Sequence, residues 1–219
     1  MIPLRAILLR NSTPVMTLLI IGLNTLLFLF EIAQPPYMRD NFIQHYALIP
    51  DQFHLSTLVT SMFLHGGWLH LIGNMWFLWV FGSHIEDVMG PAKFLIFYLI
   101  AGVASALAQT VLNIGSPVPT IGASGAIAGV MGAFLILYPR VRVVTLIFIV
   151  VFVTTIDIPA AFMLLYWFLL QLLSGVSSLA SVTQAQGIAW FAHVGGFLAG
   201  ILLIRLFARN RSRYRYSSF

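Results

Sequence analysis

Long apolar stretches separated by short polar or proline-bearing segments dominate this chain. A helix needs roughly 20 apolar residues to cross about 30 Å of hydrocarbon, so a stretch of that length is a candidate membrane span. Six stretches qualify, at about residues 14–33, 65–83, 91–112, 123–139, 158–176 and 188–207. The pattern therefore predicts an all-α, polytopic membrane protein built as a bundle of six transmembrane helices.

The segment from residue 141 to 175 is harder to divide, because it is almost continuously apolar. It is too long for one span and marginal for two, and Asp157 and Pro159 interrupt it. Two full spans here would raise the total to seven and would send the C-terminal tail to the other side of the membrane. We therefore expect residues 143–156 to dip into the membrane or to pack against the bundle, followed by one true span.

Composition and charge agree with a membrane location and set the orientation. Of the 219 residues, 60% are hydrophobic and only 8% are charged, which is more apolar side chain than a soluble domain of this length could bury. Positive charge lies at both termini, at Lys93 and around Arg140, whereas the loops at about 113–120 and 177–187 carry none. The positive-inside rule then places both termini in the cytoplasm.

The net charge of +5 predicts contact with lipid rather than with nucleic acid. Five arginines lie at the end of the last span or directly after it, where such residues hold a helix end near lipid phosphates. They are Arg205, Arg209, Arg211, Arg213 and Arg215. With no repeat or second domain evident, residues 1–219 are predicted to form one membrane domain with a short basic cytoplasmic tail at about 205–219. The first apolar segment is interpreted as an uncleaved signal-anchor.

The cysteine count narrows the chemistry that this chain can perform. The sequence contains no cysteine, which excludes disulfides, thiolate metal sites and a cysteine nucleophile. No pair among the six histidines has convincing zinc-ligand spacing. We therefore expect no metal site and no cofactor.

A candidate nucleophile opens the fourth predicted span. Ser124 lies in the sequence Gly-Ala-Ser-Gly, at the external end of the span under the topology above. In the first turn of a helix, free backbone N–H groups and the positive end of the helix dipole suit a developing oxyanion. The alternative is a helix cap with small-residue packing, and the short motif alone favours that alternative.

A candidate base opens the sixth predicted span, again from the external side. His193 is an ionisable residue inside a span, which is costly and is usually functional. Four glycines spaced four apart give the fourth and sixth spans smooth faces, so that these helices can approach closely. They are Gly125 and Gly129 on the fourth span and Gly196 and Gly200 on the sixth. Close approach is what a direct serine–imidazole hydrogen bond requires.

Two further polar residues lie near the external end of the second span. His70 and Asn74 are four residues apart and therefore share one helix face. Their N–H groups are suitable donors to the oxyanion of a tetrahedral intermediate. The alternative, interhelical hydrogen bonding that holds the bundle together, is equally compatible with either residue taken alone.

The topology brings these four side chains to one depth on one side of the membrane. No acidic residue is predicted at that level, because Glu86 falls at the cytoplasmic end of its span and Asp157 lies at or near the cytoplasm. The predicted catalytic unit is therefore a serine–histidine dyad, whose base is oriented by packing rather than by a carboxylate.

At these positions the sequence resembles the rhomboid family of intramembrane serine proteases, over most of the chain. Residues 65–75, His-Gly-Gly-Trp-Leu-His-Leu-Ile-Gly-Asn-Met, look like the second-helix motif of that family. Residues 122–125 resemble its nucleophile motif, and residues 192–200 resemble its base-bearing helix. The resemblance implies Ser124 as nucleophile and His193 as general base, with His70, Asn74 and the backbone N–H of Ser124 stabilising the oxyanion. It also implies a structural role for Glu86.

The chain departs from the family pattern at two places. Many members carry Trp-Arg in the first external loop, where this chain has Ser56-Thr57, so the anchoring of that loop has to differ. Some members place a tyrosine that stacks on the base one turn after the nucleophile, where this chain has Ala128. We therefore expect His193 to be held in another way.

The predicted activity is hydrolysis of peptide bonds in or near transmembrane segments of single-pass or other membrane proteins, through an acyl-enzyme. The segment from Ser174 to Gln186 is predicted to be a mobile lid that admits substrate and water. Two alternatives are a catalytically silent binder of transmembrane clients and a small transporter, although no charged midplane residues or repeated halves favour the latter. A bacterial inner membrane is the expected location, with the active site on the external side.

Overall fold

The computed structural model describes residues 1–149, 152–180 and 189–208, and these residues are mostly helical. The helices are α1 (Val15–Ala33), α2 (Pro36–Tyr46), α3 (Thr57–Thr60), α4 (Trp68–Phe77), α5 (Ser83–Met89), α6 (Pro91–Leu112), α7 (Ser124–Leu137), α8 (Ala160–Ala180) and α9 (Trp190–Phe207). A π-helical turn at Leu78–Gly82 joins α4 to α5, and short 3₁₀ turns lie at Pro50–Gln52 and Ser61–Phe63.

Four of the helices are long and apolar enough to cross a membrane, so the chain is a multi-pass integral membrane protein. They are α1, α6, α9 and the part of α8 from Ala160 to Ser178. The second predicted span is divided among α4, the π turn and α5, and α7 has only 14 residues. By length and composition these two segments do not qualify as spans by themselves, and the count of six spans stays a prediction.

The structure corrects the all-α prediction in the stretch that the apolar pattern could not divide. Two strands, β2 (Arg142–Ile149) and β3 (Phe152–Pro159), form an antiparallel hairpin with Arg142 opposite Pro159. An N-terminal strand, β1 (Ile2–Ala6), pairs with β2 on its other edge to complete a three-stranded sheet. Residues 143–156 are therefore not a helical span.

The inner face of this sheet packs on the helical bundle, which agrees with the alternative expectation of a bundle-packed segment. Val143 and Thr145 on β2 are fully buried, and the Thr145 hydroxyl lies 3.8 Å from the sulfur of Met163 on α8. On the other side, Trp76 Nε1 on α4 donates to the carbonyl of Pro3 on β1. The sheet thus contacts both α4 and α8.

The composition of this segment explains why it forms strands. Residues 142–159 are rich in valine, isoleucine and threonine. Branching at Cβ restricts the side chain in a helix and suits the pleated surface of a strand. A continuous apolar run cannot by itself distinguish a buried strand from a helix, and the hairpin also satisfies the backbone N–H and C=O groups that an apolar surrounding would leave unpaired.

The centre of the bundle is the contact of α7 with α9, and α6 packs against both. Along α7 every residue from Gly125 to Phe134 is buried. A β-carbon added at Gly129 would lie 3.1 Å from the carbonyl oxygen of Gly196, and one added at Gly200 would meet the backbone of Gly129. The glycines predicted to let these helices approach thus lie directly against each other.

Two buried carboxylates tie the outer parts of the molecule to this core. Glu86 on α5 accepts from the backbone N–H groups of Met16 and Thr17, at 2.8 and 2.7 Å, and from the Thr17 hydroxyl at 2.7 Å. It therefore satisfies free N–H groups in the first turn of α1, where a negative charge also complements the helix dipole. Glu86 thus joins α5 to the start of α1, which agrees with the structural role expected of it.

The second carboxylate anchors the external loop that lacks Trp-Arg. Glu31 near the end of α1 is fully buried, and it accepts from the backbone N–H of His65 at 3.3 Å. It also forms an ion pair with Arg39 on α2, with 3.4 Å between Glu31 Oε1 and Arg39 Nε. These contacts hold α2 and the start of the segment before α4 against the end of α1.

Candidate active site

The N-terminal ends of α4, α7 and α9 meet at one end of the bundle and line a partly open cavity of about 370 Å³. All four residues predicted to do chemistry line this cavity. Its lining consists of Leu69, His70, Gly73, Asn74, Phe77, Ile121, Ser124, Ile127, Met131, Trp167, Ala189 and His193. Residues separated by more than 100 positions in the chain are thus brought to one place, because α4, α7 and α9 all begin at the same end of the bundle.

Ser124 is the first residue of α7, and the chain before it is sharply turned. Gly122 has φ of +121°, a conformation that favours glycine, and its N–H donates to the carbonyl of Ser61 at 2.9 Å. A β-carbon at position 122 would lie 2.7 Å from two ring atoms of His70. Glycine is therefore required both by the backbone and by the adjacent ring, and the turn presents Ser124 to the cavity.

The imidazole of His193 reaches Ser124 directly. Its Nε2 lies 2.8 Å from Ser124 Oγ, within the range of a serine–base hydrogen bond. Near the N-terminus of α9, Ala192 N–H donates to Gln109 Oε1 on α6 at 3.1 Å. This bond helps to fix the position of α9, which carries the base, along α6. A hydroxyl that faces the unprotonated nitrogen of an imidazole can transfer its proton as it attacks a carbonyl carbon.

His193 is held by residues of α8 that the sequence reasoning missed. Gln171 Oε1 lies 2.7 Å from His193 Nδ1, and the indole of Trp167 packs on the imidazole with 5.7 Å between ring centroids. Trp190 adds an edge contact at 6.5 Å. Ala128 is fully buried, so the tyrosine expected there in some relatives is replaced by contacts from a different helix. The sequence contains a signal for this contact, because Gln171 is a polar residue in a largely apolar span and such a residue requires a hydrogen-bond partner.

Asn74 supplies a free hydrogen-bond donor to the same cavity. Its side chain is buried, with 8% of its surface exposed, and its Nδ2 has no hydrogen-bond partner within the part of the chain that the structure describes. A β-carbon on Gly122, two residues before Ser124, would lie 3.4 Å from this nitrogen. Since buried donors are normally paired, the open one is suited to an oxygen that arrives with a substrate.

His70 lies beside Asn74 and is oriented by its own loop. The backbone N–H of Gly66 donates to His70 Nδ1, at a long 3.5 Å. Nε2, the nitrogen that would donate to an oxyanion, lies on the side of Gly122. The ring of His65 packs edge-on against that of His70, with 5.2 Å between centroids, and the backbone N–H of His65 is bound by Glu31.

A second cavity, of about 230 Å³, adjoins the first. Phe77, Met131 and Trp167 line both cavities, so the two are neighbours along the gap between α4 and α8. Met1 and, on β1, Pro3 also line this apolar space. The apolar space between α4 and α8 is thus continuous with the cavity that holds Ser124.

Two expectations fall wholly or partly outside the described residues. Residues 181–186 of the proposed lid, Ser174 to Gln186, are not described, and its first part up to Ala180 belongs to α8. The basic tail beyond residue 208 is likewise not described. Over the ranges that are described, no group of three or more His, Cys, Asp or Glu side chains has a geometry that could hold a metal ion.

Comparison with known proteins connects this geometry to a family. The rhomboid domain model matches residues 52–210. The chain is 37% identical over 131 residues to the rhomboid protease GluP of Bacillus subtilis, covering 58% of this chain and 25% of that protein. It is 30% identical over 183 residues to the mitochondrial presenilin-associated rhomboid-like protein of Bos taurus, covering 81% of this chain and 45% of the relative.

A third similarity is to the mitochondrial rhomboid protein 1 of Saccharomyces cerevisiae, 28% identical over 175 residues, which cover 74% of this chain and 45% of that protein. The chain thus spans a quarter to somewhat less than half of the length of these relatives. Because two of the three are mitochondrial, the comparisons give no support to a bacterial inner membrane in particular.

Proposed function

Because this chain belongs to the rhomboid family, we propose that it is an intramembrane serine endopeptidase that cleaves transmembrane segments of other membrane proteins. The observation that carries the proposal is the contact of 2.8 Å between His193 Nε2 and Ser124 Oγ inside a cavity with an unpaired buried donor. A helix cap or a packing residue would require neither the imidazole nor the open donor.

The proposed reaction proceeds through an acyl-enzyme. Ser124 Oγ attacks the carbonyl carbon of the scissile peptide bond while His193 Nε2 takes its proton. The negative charge that develops on the carbonyl oxygen is stabilised by Asn74 Nδ2, His70 Nε2 and the backbone N–H of Ser124. His193 then protonates the leaving amine, and a water molecule, deprotonated by the same ring, releases the acyl group and restores Ser124.

The substrates are proposed to be single-pass or other membrane proteins that approach within the bilayer. A carbonyl group in an intact transmembrane helix is bonded to the N–H four residues later, so the segment has to unwind before Ser124 can attack it. We therefore expect preference for segments with small or helix-breaking residues near the external boundary. The prediction of a bacterial inner membrane, with both termini cytoplasmic and the dyad on the external side, belongs to the same proposal.

The proposal is tested by labelling the detergent-solubilised protein with a fluorophosphonate probe, which reacts with an activated serine. Wild type and Ser56→Ala, a change at an exposed loop serine, are expected to label equally. Ser124→Ala and His193→Ala are expected to lose labelling, because one lacks the nucleophile and the other its base.

Peptides with a single transmembrane segment then test the reaction itself. Incubation with the wild type should give new termini in mass spectra, and the Ser124→Ala variant should give none. A folded wild-type protein that neither labels nor cleaves would contradict the proposal and would favour a silent binder of transmembrane clients.

A further inference from the structure

Gln171 is a buried amide in the apolar helix α8, with 8% of its surface exposed. It lies one helical turn after Trp167, so that both side chains share a face, and this face is turned towards His193 on α9. A buried amide in such a surrounding is costly unless its groups are bonded. The partners of Gln171 therefore indicate what this residue does.

The orientation of the amide follows from its second hydrogen bond. Gln171 Nε2 donates to the backbone carbonyl of Trp167 at 3.4 Å, and a carbonyl oxygen can only accept. The NH₂ end is thus committed to the backbone, and the oxygen end faces His193 Nδ1 at 2.7 Å. Because the amide oxygen also only accepts, the hydrogen of the neutral imidazole has to be on Nδ1.

That choice of tautomer is the one a general base requires. With the hydrogen on Nδ1, the lone pair of Nε2 points at Ser124 Oγ, 2.8 Å away, and can accept the serine proton. Once His193 is protonated, both ring nitrogens are donors, and the bond to Gln171 is kept while the ring is charged. We propose that Gln171 is a positioning residue that holds His193 in this tautomer and orientation, an inference that rests on the proposed function.

The structure also explains why an amide takes this place. Two carboxylates are buried among the described residues, and both have other partners. Glu31 binds the backbone of His65 and the side chain of Arg39, and Glu86 binds the first turn of α1. No described carboxylate bonds to His193. A neutral acceptor directs the ring without placing a second charge inside an apolar bundle, where charge is expensive. Trp167 packs against the ring at an interplanar angle of 41°, with 5.7 Å between centroids, and limits its rotation.

The test separates binding of a probe from the chemical step. We would measure the dissociation constant and the maximal inactivation rate with the fluorophosphonate probe for wild type, Gln171→Met and Gln171→Glu. Methionine keeps the size of the side chain and removes the acceptor, whereas glutamate keeps an acceptor oxygen at the same distance. The control is Leu173→Met, a change of similar size on an outward-facing residue of α8 that is 55% exposed.

For a positioning residue, Gln171→Met lowers the maximal inactivation rate by about 10- to 100-fold with little change in probe affinity. This is less than the roughly 10⁴-fold loss that the wrong tautomer causes in a serine-protease triad. Gln171→Glu stays within about threefold of wild type, and Leu173→Met is unchanged. If Gln171 only fills space, Gln171→Glu reacts more slowly than Gln171→Met, because a buried carboxylate is then worse than methionine. That result, or a Gln171→Met variant that reacts as fast as wild type, overturns the inference.

A spectroscopic measurement on the wild type covers the case in which a variant does not fold. Nitrogen-15 spectra of histidine-labelled protein, with the His193 signals assigned from a His193→Asn sample, report which ring nitrogen carries the hydrogen. Hydrogen on Nδ1 supports the inference, and hydrogen on Nε2 overturns it. Wild-type protein that fails to react with any serine probe contradicts the proposed function. The nitrogen-15 spectra still test the role of Gln171 in that case, because they do not depend on activity.

Discussion

At the scale of single residues, the site combines a base whose two ring nitrogens are both bonded with one buried amide donor, Asn74 Nδ2, that has no partner among the described residues. Ser124 and Gln171 hold the two nitrogens of His193, so the base has no freedom to turn. Asn74 Nδ2 is buried and unpaired within the described residues, which costs about 1–3 kcal/mol for an unsatisfied polar group. A donor left open at that cost next to a candidate nucleophile is best explained by an oxyanion that forms during the reaction.

Replacing Asn74 with alanine is therefore expected to lower turnover of a cleavable transmembrane peptide by about 10²–10³, the usual effect of losing one oxyanion donor. Substrate affinity should change little, because the donor acts on charge that develops after binding. Steady-state kinetics in detergent micelles measure both quantities.

The matched control for Asn74 is Asn41→Ala, which removes the same group from the exposed face of α2 and should leave turnover unchanged. A loss in Asn74→Ala that appears only as weaker substrate binding would show that Asn74 helps to form the pocket and does not stabilise the oxyanion.

At the scale of elements, the distance between Ser124 and His193 is set by how closely α7 approaches α9. Glycines on both helices leave no side chain between the two backbones, so that one helix contacts the carbonyl groups of the other. The dyad lies at the N-terminal ends of this same pair of helices. Any widening of the contact would therefore be transmitted directly to the bond between serine and imidazole.

Gly200→Ala tests this dependence two turns below His193. The new methyl group would meet backbone atoms of Gly129, which cannot move aside as a flexible side chain does. We expect a loss of about 1–3 kcal/mol in stability, as for other overpacked cores, and slower labelling of Ser124. Thermal unfolding in detergent measures the stability, and the fluorophosphonate probe measures the labelling.

Gly22→Ala is the control for this change, since a β-carbon at Gly22 on α1 would have nothing within 4 Å. It should leave both measurements unchanged or raise stability slightly, because alanine is the better helix former. Equal behaviour of the two variants would mean that the α7–α9 contact can expand without consequence.

At the scale of the whole molecule, the arrangement of the helices decides which side of the membrane the dyad faces. The loop between α6 and α7 lies at the same end as Ser124, and Arg140 follows the opposite end of α7. The chain contains no cysteine, so a single introduced cysteine can be labelled without background.

Ile114→Cys and Arg140→Cys place such a probe at the two ends, and both positions are exposed. In intact cells or right-side-out vesicles, a membrane-impermeant maleimide should label Ile114→Cys, whereas Arg140→Cys should react only after the membrane is permeabilised. The positive-inside rule is the physical reason for this expectation. The reverse pattern would put the dyad on the cytoplasmic side and would contradict the predicted topology.

Much of this molecule follows from the sequence alone, because it depends on local and additive properties. Apolar length and scarcity of charge identify a helical membrane protein, and the spacing of glycines along the fourth and sixth spans already indicates where two helices can touch. Ser124, His193, His70 and Asn74 stand out because a polar group inside an apolar span needs a reason. These properties of short segments do not change when the segments are packed.

What only the tertiary structure decided concerns contacts between segments far apart in the chain. An apolar run such as residues 141–175 is compatible with helix or strand. The choice depends on the pairing of β1 with β2 and on the packing of Thr145 against Met163 of α8. In the same way, the pairing of Gln171 with His193 and of Glu31 with His65 depends on which helix faces approach each other. Such choices are made by packing and by pairing of buried polar groups, neither of which is encoded in the periodicity of any one segment.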